Sequence, residues 1–226
     1  MNKKPGKQDK GPRGREERPL RADVQRNTEA LLKAAMAVFA TSGVDAPVRE
    51  IALRAGVGLG TVYRHFPQRS DLIAAVFRHE VDACADAAPV LAAENGPGEA
   101  LAKWMHRYMD FIAAKRGLAT ALHSGDPAFE SLPAYFETRL KPALRSLLDA
   151  AVAAGEVRGD VDPEELLRAV ARLCMSAHDD GPAPARRMVA LLVDGLRYGA
   201  SNSQDISSRD AAKSRTAPAL GRRSKR

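Results

Sequence analysis

Apolar residues recur along this chain at intervals of three and four positions, the spacing of helices that bury one face. The first such stripe runs from about Ala22 to Thr41, and Gly43 is placed to end that helix. Its apolar face carries Leu31, Leu32, Ala35, Val38 and Phe39. Alternating strand patterns and β-branched runs are scarce, so the sequence predicts an all-α fold.

Glycine, proline and capping residues divide the remaining sequence into further helices. Two short helices are predicted near 47–55 and 59–66. A fourth opens at Ser70, a good N-cap, and should end near Ala88, before Pro89. Pro142 should kink or divide a long later helix. The later helices are predicted at about 99–115, 117–123, 128–154, 163–178 and 183–199.

Positive charge is concentrated at the two ends of the chain. The net charge is +7 over residues 1–78, −5 over residues 79–198 and +5 over residues 199–226. Residues 1–21 and 201–226 show no apolar period and are predicted to be disordered basic arms. The basic ends favour a polyanionic partner, although a purely solubilising charge run explains them equally well.

Several classes of protein are disfavoured by composition. No run of 18 apolar residues indicates a membrane span, and the basic start is not followed by the apolar region of a secretory signal. Cys84 and Cys174 are too few for a disulfide framework or a Cys-rich zinc site, and we expect both to be buried in helices of a cytoplasmic protein. We expect no metal, no cofactor and no enzymatic activity, because the four histidines between residues 79 and 198 show no metal-binding or catalytic spacing. These four are His79, His106, His123 and His178.

Residues 47–66, PVREIALRAGVGLGTVYRHF, are typical of two short helices joined by a tight turn. Gly56 supplies the positive φ that ends the first of them. Such a pair is not stable alone and needs cover from the first and fourth helices, which predicts a three-helix unit containing a helix-turn-helix. The inward-facing residues are Val48, Ile51, Ala52, Ala55, Val62 and Phe66.

The outward face of the second short helix carries groups that suit phosphate oxygens and base edges. Gly60 lets the backbone approach DNA closely, and the Arg64 guanidinium can donate to both O6 and N7 of guanine. Arg69 lies at the start of the fourth helix, where the dipole favours a phosphate. The other outward residues are Leu59, Thr61, Tyr63 and His65.

The ordered segments VREIA, AGV and GTVYRHF closely resemble the N-terminal domain of TetR-family transcriptional regulators, over about residues 22–78. The resemblance implies a homodimer with a helix-turn-helix DNA-binding domain at 22–80 and an effector-binding and dimerisation domain at 81–200. It also implies a palindromic double-stranded DNA operator and a small-molecule effector. By position, phosphate contacts fall to Thr61, Tyr63, His65 and Arg69, base-facing positions to Leu59, Gly60 and Arg64, and a further DNA contact to Arg49.

Two capping positions depart from the family pattern. Ala46-Pro47 stands where the second helix usually has a Ser or Thr cap, and Gly58 stands where the recognition helix usually begins with Ser. These weaker caps cost at most about 1 kcal/mol each and leave the fold prediction unchanged. Leu59 replaces a polar residue found in many members, so it is suited to an apolar contact with a thymine methyl group.

Six of the eleven aromatic residues fall between residues 104 and 136. For any one of them an ordinary core position is the default, but the family resemblance favours a ligand pocket between helices. The segments AAKRGLATALHSG and LLVDGLRYG resemble SbtR-like C-terminal domains, without identifying a ligand. The candidate pocket residues are Trp104, Tyr108, Phe111, Leu118, Leu122, His123, Phe129, Phe136, Leu144, Met175 and His178.

A dense apolar stripe on the last two predicted helices fits either the protomer core or a dimer interface. The family's four-helix bundle across a twofold axis favours the interface. The candidate interface residues are Leu166, Val170, Leu173, Met188, Leu191, Leu192 and Leu196.

The favoured function is a DNA-binding transcriptional repressor released from its operator by a small-molecule effector. Two alternatives stay open at this point. One is a sequence-tolerant DNA-binding protein driven by the basic arms, and the other is a helical small-molecule-binding protein without regulatory DNA binding.

Overall fold

The structure is a computed structural model that describes residues 17–175 and 183–198, and regular secondary structure within these ranges is entirely helical. This confirms the all-α prediction. Two 3₁₀ turns, Arg116–Leu118 and Pro127–Phe129, lie on either side of α6. The helices are α1 (Glu17–Ser42), α2 (Val48–Ala55), α3 (Leu59–His65), α4 (Arg69–Glu94), α5 (Pro97–Lys115), α6 (Ala119–Leu122), α7 (Leu132–Ala153), α8 (Pro163–Met175) and α9 (183–198).

The N-terminal helices form the predicted three-helix unit, with α4 as its fourth side. Gly56 ends α2 with a φ of 69°, and Gly43 follows α1 with a φ of 76°, so both glycines occupy the left-handed region that other residues rarely adopt. The apolar faces of α1 to α4 meet in one core. Its large buried side chains include Leu31, Val38, Phe39, Ile51, Val62, Leu72 and Val76.

The C-terminal helices pack around α5, which contacts α4, α7 and α8. The indole of Trp104 on α5 donates to the carbonyl of Cys84 on α4 at 2.9 Å, so its polar atom is satisfied in the core. Cys84 and Cys174 are both buried free thiols, as predicted, and burial raises the pKa of Cys84 to about 12. Both cysteines therefore serve as small core residues.

Both internal prolines lie inside continuous helices, although the sequence predicts a helix end before Pro89 and a kink or a division at Pro142. Pro89 was expected just beyond the end of the fourth helix, but α4 continues through it to Glu94. Pro142 does not divide α7. Each proline removes one backbone hydrogen bond. Buried residues lie on both sides of Pro142 in α7, whereas Pro89 in α4 follows the buried Ala88 and precedes the half-buried Leu91, and these contacts hold each helix against its neighbours.

Several helix boundaries also differ from the predictions. Helix α1 begins at Glu17, so residues 17–21 of the predicted arm are helical. The N-cap of α4 is Gln68, whose N–H donates to the Asp71 carboxylate at 3.0 Å, and Ser70 lies inside the first turn. The predicted helix at 117–123 is a 3₁₀ turn followed by the four-residue α6.

The predicted start of the long helix near residue 128 is a 3₁₀ turn, and α7 begins only at Leu132. Pro133 suits that first turn, where its missing N–H costs nothing. The rest of the predicted arms, residues 1–16 and 199–226, lies outside the described residues. In the part of the chain that the structure describes, no helix is long and apolar enough to cross a membrane.

Candidate functional site

Helix α3 presents nearly its whole surface to solvent while one residue anchors it. Val62 is 1% exposed and packs in the core of the N-terminal unit, whereas Leu59 is 44% and Tyr63 51% exposed. Thr61 is half-buried at the edge of this anchor. The anchored helix therefore displays a phenol, a guanidinium and an imidazole on a rigid surface. Its other exposed residues are Gly60, Arg64 and His65.

The two candidate arginines outside α3 have different surroundings. Arg49, in the first turn of α2, is exposed. Arg69 is half-buried, and its Nη1 donates to the carbonyl of Ala46 at 2.9 Å and also to that of Val44. Arg69 therefore joins the loop between α1 and α2 to the start of α4, a structural role that the sequence did not predict.

A cavity of about 270 Å³ lies among α4, α5, α6 and α7. Four of the eleven predicted pocket residues line it: Leu122, His123, Phe129 and Phe136. It is lined further by Phe77, Lys115, Leu132, Pro133 and Glu137, and we call it the Lys115 cavity. Its walls are mainly aromatic and apolar with few charged groups, the usual composition of a small-molecule site.

An aromatic ladder connects this cavity to the core. Trp104 and Tyr108 stack with ring centroids 5.7 Å apart, and Tyr108 lies 6.2 Å from both Phe111 and Phe136. The rings of Phe111 and Phe136 are 6.0 Å apart. Phe136 is part of the aromatic ladder and also lines the Lys115 cavity, so the ladder supports one wall of that cavity.

The other predicted pocket residues do not line the Lys115 cavity. Trp104, Tyr108, Phe111, Leu118 and Leu144 are buried in the core, each no more than 2% exposed. Met175 at the end of α8 is 61% exposed and does not line this cavity. His178 lies outside the described residues.

Two residues that the sequence reasoning missed stand out at the junction after α5. Lys115 follows Trp104, Tyr108 and Phe111 at helical spacing, so the same apolar period could have identified it as an inward-facing cation. Gly117 lies directly against the backbone of α1, near Phe39 and Ala40. No local pattern signals this contact, because it arises from the packing of two distant segments.

A second, larger groove of about 600 Å³ lies between α8 and α9. We call it the α8–α9 groove. Six of the seven predicted interface residues line it, and two of them leave large apolar surface uncovered: Met188 is 45% and Leu191 64% exposed. Val170 is fully buried inside the protomer, where another chain could not reach it. The six lining residues are Leu166, Leu173, Met188, Leu191, Leu192 and Leu196.

The described residues offer no metal site, since no three His, Cys, Asp or Glu side chains are grouped there. The features that remain are an exposed polar helix, an apolar cavity and an apolar groove, which together fit recognition of partners.

Comparison with known families matches both halves of the chain. Residues 31–76 match the model for bacterial regulatory proteins of the tetR family. Residues 96–198 match the model for the C-terminal domain of SbtR-like transcriptional regulators. Both family resemblances drawn from the sequence are therefore confirmed.

Two solved structures are similar over nearly their whole length. The TetR transcriptional regulator SCO0520 from Streptomyces coelicolor is 40% identical with a TM-score of 0.67, and the match covers 75% of this chain and 97% of that one. A TetR transcription regulatory protein from Mycobacterium vanbaalenii is also 40% identical with a TM-score of 0.62, covering 79% and 99% of the two chains.

A third relative is known by sequence and by structure. The HTH-type transcriptional repressor LfrR of Mycolicibacterium smegmatis is 45% identical over 58 residues, which are 26% of this chain and 30% of that protein. The sequence matches to curated relatives thus span about a third of their length. The structure of LfrR from Mycobacterium smegmatis in complex with proflavine is 26% identical with a TM-score of 0.56, covering 76% of this chain and 97% of that chain.

Proposed function

Because this chain belongs to the TetR family of transcriptional regulators, we propose that it is a cytoplasmic homodimeric repressor that a small-molecule effector releases from a palindromic operator. The observation that carries this proposal is helix α3, anchored by buried Val62 and exposing polar side chains along its outer surface. A short helix held rigidly in this way suits insertion into a major groove.

Within this proposal, the exposed side chains of α3 divide into two roles. Gly60, Leu59 and Arg64 face bases, whereas Thr61, Tyr63 and His65 bind phosphates and set the register of the helix. Arg49 adds a contact from α2. Arg69 already donates to two backbone carbonyls, so its contribution to a phosphate site is to hold the α1–α2 loop in place.

The Lys115 cavity is the proposed effector site. It lies between α4, which starts at the DNA-binding unit, and the junction after α5, which contacts α1. A ligand in the cavity can therefore change the relative position of the two α3 helices in the proposed dimer. The complex of LfrR with proflavine supports small-molecule binding in a protein of this fold.

Operator binding is tested with the DNA upstream of this protein's own gene in a gel-mobility assay. We expect retardation at about 150 mM salt that survives excess unrelated duplex, because base contacts supplement phosphate contacts. Absence of retardation would contradict the proposal. Binding that disappears on removal of residues 1–16 and 199–226 would favour the alternative in which the basic arms drive DNA binding.

The α8–α9 groove is the proposed dimer interface, since its exposed leucine and methionine side chains gain most by meeting a second copy. Leu191→Glu would place a charge in the centre of the interface. We expect the wild-type mass by light scattering to be twice the 24.3 kDa of one chain. The variant dimer should dissociate at protein concentrations about 100-fold higher than those at which the wild-type dimer dissociates.

Val90→Glu is the matched control for the dimer prediction. Val90 is 53% exposed on α4 and does not line the α8–α9 groove, so its variant should stay dimeric. A wild-type monomer, or a Leu191→Glu variant as dimeric as the control, would contradict the assignment of the interface.

A further inference from the structure

Lys115 is a half-buried cation placed among aromatic rings. Its ammonium lies 5.5 Å from the ring centroid of Phe77 and 5.7 Å from that of Phe136, and all three residues line the Lys115 cavity. Burial lowers the pKa of Lys115, and it is the only cause of that shift. An adjacent carboxylate would have the opposite effect on this pKa.

The surroundings of Lys115 differ from those of other lysines on the described helices. Lys33, Lys103 and Lys141 each pair with a glutamate at 2.7 to 2.9 Å. Within the described residues, Lys115 has no carboxylate at ion-pair distance and no hydrogen-bond acceptor. Glu137, the acidic residue of the cavity lining, is exposed at its rim.

A cation held this way by aromatic faces is only partly compensated for the water it has lost. An anion in the cavity would supply the missing charge-assisted hydrogen bond, and apolar atoms of the same ligand would contact Phe129, Leu132 and Phe136. A cationic ligand is disfavoured, because Lys115 repels it and already occupies the faces of Phe77 and Phe136.

We propose that the Lys115 cavity binds a small organic anion with an aromatic or branched apolar body, and that the Lys115 ammonium binds its negatively charged group. This inference deepens the proposed function and rests on it for its regulatory consequence. Lys115 is followed directly by the turn Arg116–Leu118, in which Gly117 contacts the backbone of α1. Ligand charge at Lys115 thus acts beside the contact between the two domains.

Calorimetry with three naphthalene probes tests the inference on the full chain. The probes are 1-naphthaleneacetate, the uncharged 1-naphthaleneacetamide and 2-(1-naphthyl)ethylammonium, which share one aromatic body and differ in charge. We expect the acetate to bind at least about tenfold more tightly than the amide, as for hydrogen bonds to charged groups. The ammonium probe should bind most weakly.

Variants of Lys115 locate the effect at this side chain. Lys115→Met should remove the preference for the acetate and leave amide binding unchanged, whereas Lys115→Arg should retain the preference. Lys103→Met, on the exposed part of the same helix, is the matched control and should behave as wild type. Thermal unfolding should show Lys115→Met to be as stable as wild type or more stable, since methionine removes a buried charge without leaving a void.

The inference is overturned if the amide or the ammonium probe binds wild type as tightly as the acetate, if the preference persists in Lys115→Met, or if none of the probes binds at millimolar concentration. The gel-mobility assay is run separately on the same preparation. If the protein retards DNA but does not prefer the anion, only this inference is contradicted. If it prefers the anion but does not retard DNA, the proposed regulatory function is contradicted.

Discussion

Gly60→Leu is expected to abolish specific operator binding while leaving the chain fully folded. Gly60 lies in α3, and a Cβ added there has no atom from outside its own stretch of helix within 4 Å, so the space around this position is open to a side chain. Replacing a helix glycine by a good helix former should add about 0.5–1 kcal/mol to the free energy of unfolding. Only operator binding should therefore be lost, because the leucine side chain would occupy space that the DNA major groove fills in the proposed complex.

Anisotropy titration of a labelled operator measures this effect, with Gly60→Ala as the intermediate step. We expect the Kd to rise by at least about 100-fold for leucine and by less for alanine, as loss of one or more base contacts would cause. Glu94→Leu is the control. It is exposed at the far end of the 26-residue α4, about 39 Å along the helix from its start. Equal operator affinity for Gly60→Leu and this control would contradict the placement of α3.

Gly117→Ala should have the opposite effect from Gly60→Leu. We expect lower stability and altered ligand binding, although Gly117 is not among the proposed DNA contacts. A methyl group at Gly117 would lie directly against the Phe39 carbonyl oxygen, 2.9 Å from the Phe39 carbonyl carbon and 3.0 Å from Ala40 Cα. These are backbone atoms of α1, which cannot rotate away as a side chain would. The turn and α1 must separate, at a cost of about 1–3 kcal/mol.

Thermal unfolding and calorimetry with 1-naphthaleneacetate measure the consequences of the Gly117 substitution. We expect the Tm to fall by about 3–10 °C and the affinity for this probe to change, because the turn beside Lys115 no longer fits α1. Gly60→Ala serves as the control for adding a methyl group to a glycine, and its Tm should not fall. An unchanged Tm for Gly117→Ala would contradict the close contact between the turn and α1.

The DNA-binding unit could be predicted from the sequence because its signals are local. Gly56 ends α2, Val62 anchors α3, and the apolar residues of α1 and α4 recur at helical spacing. The failures come from tertiary packing that overrides local preference. Pro89 should end a helix by its own chemistry, yet packing of α4 against α5 and α7 carries the helix through it.

The effector half was harder to predict, because a stripe of aromatic residues looks the same whether it lines a cavity or fills a core. Trp104 and Tyr108 proved to be core, whereas Phe129 and Phe136 line the Lys115 cavity. The same helical period could have included Lys115, but only the packed helices show that no carboxylate of the described residues lies at ion-pair distance from it. Gly117 carries no local signal at all, since its role depends on a backbone contact between distant segments.

Selection of binding sites from random duplex DNA tests the central claim, sequence-specific recognition by α3 in a dimer. The account predicts an inverted repeat whose half-sites lie roughly one or more helical turns apart, bound at physiological salt at least about 1,000-fold more tightly than scrambled duplex. The same selection with Gly60→Leu should enrich no motif. A wild-type chain that enriches no sequence, and whose binding simply collapses as salt rises, would contradict the account.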